Sequence, residues 1–190
     1  MMQEIKCNTQ WFEQLVSVEE YRERCVDVEE FLPYCKACNH YGQVWSCPPY
    51  DFSPEDCWKK YRDFLIVGLK VCVPEELLSG TYSPEEREKI LEKILIPEKE
   101  RLDAVLLERE KEAPGSISLS GGSCRKCLPQ GCTRPQNQPC RHPETMRYSI
   151  ESLGGNVGLT VTKYLHQELQ WMEEGKLPEY FIVVGGLLLP

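Results

Sequence analysis

The spacing of apolar and polar positions divides the chain into short elements separated by two cysteine-bearing gaps. Residues 11–31 mix aromatic and aliphatic side chains with Glu and Arg, and they predict helix within an N-terminal segment 1–32. Ser17 with Glu20 three residues on has the form of a capping box. Residues 33–52 are rich in Pro, Gly, Tyr and Cys and predict a loop. Ser53-Pro54-Glu55-Asp56 opens a short helix, with Ser as cap and Pro in the first turn. Phe64 to Val73 (FLIVGLKVCV) is a run of β-formers and predicts a buried strand.

Ser83-Pro84-Glu85-Glu86 repeats the helix-start signature, and Ile90, Leu91 and Ile94 follow at helical spacing. Pro97 is expected to kink or split this helix, with a second piece reaching about Lys111. Ala113-Pro114-Gly115 stops it, and Ser116 to Ser120 alternates as a strand does. Residues 121–142 form a second Gly/Pro/Cys-rich loop. Pro143 to Leu153 reads as a short helix ending at Gly154-Gly155. Leu165, Leu169 and Met172 sit at i, i+4 and i+7, which predicts an amphipathic helix over 161–174. Tyr180 to Leu189 is the last strand.

This order is helical, then β-α-β-(loop)-α-β. It predicts an α/β or α+β fold: a compact sandwich with a small three- to four-stranded sheet and helices packed on it. Residues 1–190 are expected to form a single metal-binding domain, with both cysteine loops inserted at element ends, where function commonly sits.

Composition narrows the chemistry. The chain has 190 residues, 41% of them hydrophobic, so a packed core is expected. A net charge of −8 argues against nucleic-acid partners, which need a basic face. No stretch approaches about 18 uncharged apolar residues, so no membrane span is expected. The start, Met1-Met2-Gln3-Glu4-Ile5-Lys6, lacks an apolar signal region, and a cytoplasmic location is expected. The 11 cysteines change the picture most. In a reducing compartment, cysteines at short spacings read as metal ligands rather than structural disulfides.

The first cluster is Cys35-Lys-Ala-Cys38, eight residues, then Cys47-Pro-Pro. The second is Cys124-Arg-Lys-Cys127, four residues, Cys132, seven residues, then Cys140-Arg-His-Pro. A C-x-x-C turn sets two thiolates on one side of the backbone, and further cysteines complete a site from the same loop. A zinc site built from Cys35, Cys38, Cys124 and Cys127 would leave Cys47, Cys132 and Cys140 without a role. A four-iron cluster takes four cysteines, which the second loop supplies alone. Iron–sulfur is therefore favoured as cofactor, with zinc as the alternative. The match to ferredoxin loops is partial, because the bacterial spacing C-x-x-C-x-x-C-x-x-x-C-P is absent.

Residues 121–150 carry five basic side chains (Arg125, Lys126, Arg134, Arg141, Arg147) and one acid, Glu144. That is +4 locally and −12 in the remainder, and it suits an anionic thiolate-bound centre. The first cluster has three evident ligands. Cys57, Cys25 or His40 could supply a fourth; otherwise one iron stays open to a substrate. Cys7, Cys25, Cys57 and Cys72 are expected to be packing residues. Tyr34, Tyr41, Trp45 and Tyr50 are expected to wall the first site from water.

The blocks Cys35-Lys-Ala-Cys38-Asn-His-Tyr-Gly-Gln-Val-Trp-Ser-Cys47-Pro-Pro and Cys140-Arg-His-Pro-Glu-Thr-Met-Arg-Tyr-Ser-Ile-Glu-Ser-Leu-Gly carry a resemblance. From Cys35 to the final strand the chain resembles an uncharacterised family of predicted metal-binding proteins, a cysteine-rich domain of unknown function common in anaerobes. The resemblance implies metal binding by Cys35, Cys38, Cys47, Cys124, Cys127, Cys132 and Cys140, and names no substrate. Two positions depart from it. Tyr148-Ser149 follows Arg147 where the family often has Pro-Ser, and Gly155-Asn156-Val157 stands where it often has Ile-Asp-Val.

The leading expectation is an iron–sulfur protein with one or two four-iron clusters, serving electron transfer to, or maturation of, a partner enzyme. The rivals are an enzyme with an open iron on the three-cysteine cluster, and a structural zinc module that mediates protein contacts. No Ser-His-Asp order, phosphate loop or H-E-x-x-H is present to support hydrolase or nucleotide chemistry.

Overall fold

A computed structural model describes residues 5–190. The elements run β1 (Thr9–Ser17), α1 (Val18–Cys25), α2 (Val28–Ala37), α3 (Pro54–Trp58), β2 (Asp63–Cys72), α4 (Glu75–Leu78), α5 (Pro84–Glu112), β3 (Ile117–Leu119), α6 (Val157–Tyr164) and β4 (Tyr180–Leu189). The four strands form one antiparallel sheet in the order β1-β2-β4-β3. The fold is α+β, with helices on both faces of the sheet.

Alternation in the central strands sends side chains to two cores. Phe64 and Ile66 of β2 and Val184 and Leu188 of β4 meet Tyr21 of α1, Trp58 of α3 and Val161 of α6. Val67, Leu69 and Val71 face the other way, onto Ile94, Leu102 and Leu106 of α5. Trp58 is fully buried, and its indole N–H donates to the Leu153 carbonyl at 3.0 Å. The Tyr21 hydroxyl shares a 2.7 Å hydrogen bond with Thr160.

Five expectations are corrected, the first at the loop expected over 33–52, which starts late because α2 continues through Pro33 to Ala37. Residues 9–17 are not helical; they form edge strand β1, paired with β2 from Thr9↔Val71 to Ser17↔Asp63. Phe12 and Val16 pack on one core and Trp11 on the other, so the spacing of four reflects one face of a strand. Ser17 does cap a helix, accepting from the Glu20 amide, but that helix begins at Val18. Helix α5 runs unbroken through Pro97, which lies on its exposed side, where water can take up the carbonyl left without a partner.

The amphipathic helix expected over 161–174 ends at Tyr164. His166 takes a left-handed φ of 51°, and the Gln167 amide turns back onto the Val161 carbonyl at 3.2 Å. Leu169 still packs on the core, whereas Trp171 is 80% exposed. The helix expected over 143–153 is reduced to a 3-10 turn, Glu151–Leu153, closed by Gly154 at φ 82°.

Both glycines of Gly185-Gly186 are required by close approach. A Cβ on Gly186 would lie 2.5 Å from the Leu65 carbonyl oxygen, and one on Gly185 2.6 Å from that of Leu119. Bare backbone here lets β4 hold β2 and β3 at once.

Candidate metal centre

Helix α2 delivers the first loop. Cys35 lies in its last turn and Cys38 is its C-cap, with the Cys38 amide on the Cys35 carbonyl at 3.1 Å. The chain then turns at Gly42 (φ 68°), whose amide donates to the Pro48 carbonyl at 2.8 Å. This closure returns Cys47 toward Cys35 and Cys38, and the three sulfurs are electrostatic neighbours. Burial pushes the Cys47 thiol up to about 11, helped by the negative charge the other two would carry.

Helix α5 and β3 hold the second loop by its neck. At the entry, Asp103 Oδ1 accepts from the Gly121 amide at 3.0 Å, and Lys99 Nζ donates to the Ser123 carbonyl. At the exit, Glu110 accepts from Arg147 Nε at 2.8 Å and from the Ser118 amide and hydroxyl, both at 2.7 Å. Ser120 bridges to Ser149, with its amide on the Tyr148 carbonyl at 2.8 Å. Within this neck Cys124, Cys127, Cys132 and Cys140 line one cavity with His142, Met146, Val44 and Trp45.

The two loops meet. Arg134 of the second donates to the carbonyls of Val44 (2.7 Å), Cys47 and Pro49 in the first, and its guanidinium lies 5.3 Å from the Trp45 ring. The Trp45 indole N–H donates to the Gln138 carbonyl at 3.1 Å, and the Cys124 amide donates to Ser46 Oγ at 2.9 Å. Residues 44–47 are thus a shared wall. Cys47 stands at its end, within electrostatic reach of Cys35 and Cys38, and Val44 and Trp45 face the four-cysteine cavity.

At three sulfurs the amide two residues on points back at the ligand atom. His40 N–H lies 3.5 Å from Cys38 Sγ and His142 N–H 3.4 Å from Cys140 Sγ, and the Lys126 amide hydrogen-bonds Cys124. At Cys124 this bond favours thiolate over thiol. Burial is the larger influence at Cys124 and Cys35 and raises both. A metal entering here must release those protons.

All eleven cysteines are free. Cys25 is buried in the core with Thr160 on its sulfur, and Cys57 packs half-buried against the same core. Cys7 packs on the α5 core, beside Cys72. The His40 ring, in contrast, lies against the first cluster, with Nδ1 at 3.8 Å from Cys38 Sγ. Tyr50 belongs to an aromatic wall, stacked on Phe52 at 4.7 Å and edge-on to Tyr148 at 5.1 Å. Tyr34 does not, being 68% exposed.

The family model described as Predicted metal-binding protein (DUF2284) matches residues 22–189. The chain belongs to this family. No curated protein and no solved structure matches it. Within this member of DUF2284 the donor set is soft. The four-cysteine cavity holds no carboxylate, and thiolate-rich sites suit zinc or iron–sulfur centres rather than magnesium or calcium. Among the described residues no group of three His, Cys, Asp or Glu side chains converges on a single metal position. The four cysteines of the second loop line a cavity instead.

Both departures from the family pattern find structural roles. Tyr148 completes the aromatic wall. Asn156 caps α6, its side chain accepting from the Leu159 amide at 2.9 Å, which Asn does as well as Asp. Residues that sequence reasoning passed over are Ser46, Lys99, Asp103 and Glu110. The last three lie at helical spacing on one face of α5, a polar row that the apolar periodicity conceals.

Proposed function

We propose that this chain is an iron–sulfur protein that works in a reducing, cytoplasmic setting and passes electrons to a partner enzyme. Cys124, Cys127, Cys132 and Cys140 would hold one four-iron cluster. Cys35, Cys38 and Cys47, with His40 beside them, would hold a second centre. The observation that carries this reading is the grouping of seven thiols in two adjoining sets across the wall 44–47. Two centres so close form a relay, and Cys38 is exposed, which gives a partner access to one end. The amide bonds to sulfur and the basic residues of 121–150 would both stabilise an anionic cluster.

Two rival readings each have an observation behind them. The four-cysteine cavity is small, about 40 Å³. A space of that size is nearer to the volume of one ion than to that of a cubane, which favours structural zinc. The first set lacks a fourth cysteine, which favours an enzyme with an iron open to substrate.

Anaerobic purification with iron, sulfide and zinc counted per chain decides among them. Two four-iron clusters give a brown protein with about eight iron and eight sulfide, and one gives about four. Zinc without sulfide in a colourless protein would sink the redox and open-iron readings together. A cluster signal that shifts on adding an exogenous ligand, in wild type and not in H40C, would favour the enzyme.

A further inference from the structure

A second cavity, of about 300 Å³, lies on the other side of Cys124, between α5, β3 and the neck of the second loop. Its volume is at the lower end of the range found for small-molecule sites, about 300–1,000 Å³. The floor is apolar, made by Ala104, Leu106, Leu107 and Leu119. Its charged side chains are four basic (Lys99, Arg125, Lys126, Arg147) and two acidic (Glu100, Asp103).

Most of these charges are already occupied. Arg147 is held by Glu110, Lys99 by the Ser123 carbonyl, and Asp103 by the Gly121 amide with Lys99 nearby. Burial pushes the Asp103 carboxyl up and the Lys99 ammonium down, as expected where water is scarce. Two cations remain at the mouth. Lys126 has no ion-pair partner among the described residues, and Arg125 reaches only the rim carboxylate of Glu92, at 3.9 Å. An apolar floor under one unpaired cation, Lys126, and one loosely paired cation, Arg125, is complementary to one class of molecule.

We propose that this cavity binds a small organic carboxylate, its head at Arg125 and Lys126 and its apolar body over Leu106, Leu107 and Leu119. Because Cys124 lines this cavity and the four-cysteine cavity alike, the bound molecule sits directly behind a candidate metal ligand. Inorganic phosphate satisfies the cations and leaves the leucines bare. A neutral isostere does the reverse. The site stands on the cavity and its charges, and it does not require iron.

Equilibrium dialysis of the purified chain against radiolabelled phenylacetate tests this, with phenylacetamide and inorganic phosphate as competitors. The expected result is one saturable site per chain, from which excess phosphate and phenylacetamide displace the label at least about tenfold less well than unlabelled phenylacetate. Ala104→Trp, which places an indole over the cavity from an exposed helix position that lines it, is expected to abolish binding. The pair Arg125→Gln and Lys126→Gln is expected to weaken it about tenfold. Melting curves identify any variant that fails to fold, and the rim pair then carries the test alone, since it removes no buried packing.

Absence of saturable binding, equal competition by phenylacetamide or phosphate, or full binding by folded A104W would overturn the proposal. Phenylacetate binding by a chain that proves to contain zinc and no sulfide would sink the cluster reading and leave this site standing.

Discussion

One guanidinium holds three carbonyls of the opposite loop, so Arg134 is the residue whose loss should be felt at both cysteine sets. Arg134→Ala is expected to cost about 1.5–3 kcal/mol in chemical denaturation, the range for hydrogen bonds to a charged group. It should also shift Trp45 emission to the red and lower the metal content. Arg134→Lys should recover less than half of that stability, because an ammonium cannot fork between carbonyls. Unchanged emission and metal content in R134A would remove Arg134 from this role. Glu110 makes a pH-dependent prediction. Burial works against its ionisation, but the bonds from Arg147 and Ser118 outweigh burial and hold its carboxyl below the usual range. That stability is complete above the unfolded value, about 4.3, and is lost as pH falls through the folded value. The gap between wild type and Glu110→Gln should therefore be full at neutral pH and close in acid, as read by urea denaturation at both. At this scale the sequence was informative about ligand types and uninformative about their supports. C-x-x-C announces itself locally, whereas Ser46 and Arg134 act on residues 78 and 90 positions away.

Among the elements, β4 carries the tightest constraint. Gly186→Ala would drive a methyl against the Leu65 carbonyl and the Phe64 ring, neither of which can retreat without opening the sheet. A loss of about 1–3 kcal/mol is expected, the range for overpacking, with the thermal midpoint as the measurement. An unchanged midpoint would mean that β2 and β4 are more loosely paired than the register implies. The strands β2, β3 and β4 and the caps at Ser17, Ser53 and Ser83 were legible from pattern alone, because each rests on side chains close in sequence; the start of the first loop was not, since α2 runs through Pro33 to Ala37. The first strand was not legible. A repeat of four is an even number, so Phe12 and Val16 share a face in either a helix or a strand, and only pairing with β2 decides. The end of α6 was hidden for another reason: His166 takes a backbone conformation that glycine usually marks. Pro97 misled in the opposite direction, since a proline on the wet side of a long helix costs less than one facing the core.

For the molecule as a whole, the two cores and the two cysteine sets are separate in content: no candidate ligand belongs to the buried clusters. Stripping the metal with a chelator should therefore leave the far-ultraviolet dichroism nearly unchanged. Amide exchange should rise in 38–50 and 122–147 and stay slow in β2 and β4. Global unfolding on chelation would show instead that the centre nucleates the fold, as in zinc fingers. Contact between the loops was not legible, since nothing in either stretch names the other. Strand order has one more consequence. β4 is the last strand in sequence, yet it is the one that clamps β3, and β3 anchors the neck of the second loop. On a ribosome, Cys47 emerges about 140 residues ahead of the end of β4, a wait on the order of ten seconds at 5–20 residues per second. From Cys140 onward, over the last third of that interval, all seven thiols are made but not yet gathered. Delivery of a metal must then follow release of β4 from the exit tunnel, and nascent chains are the form of this protein most open to oxidation.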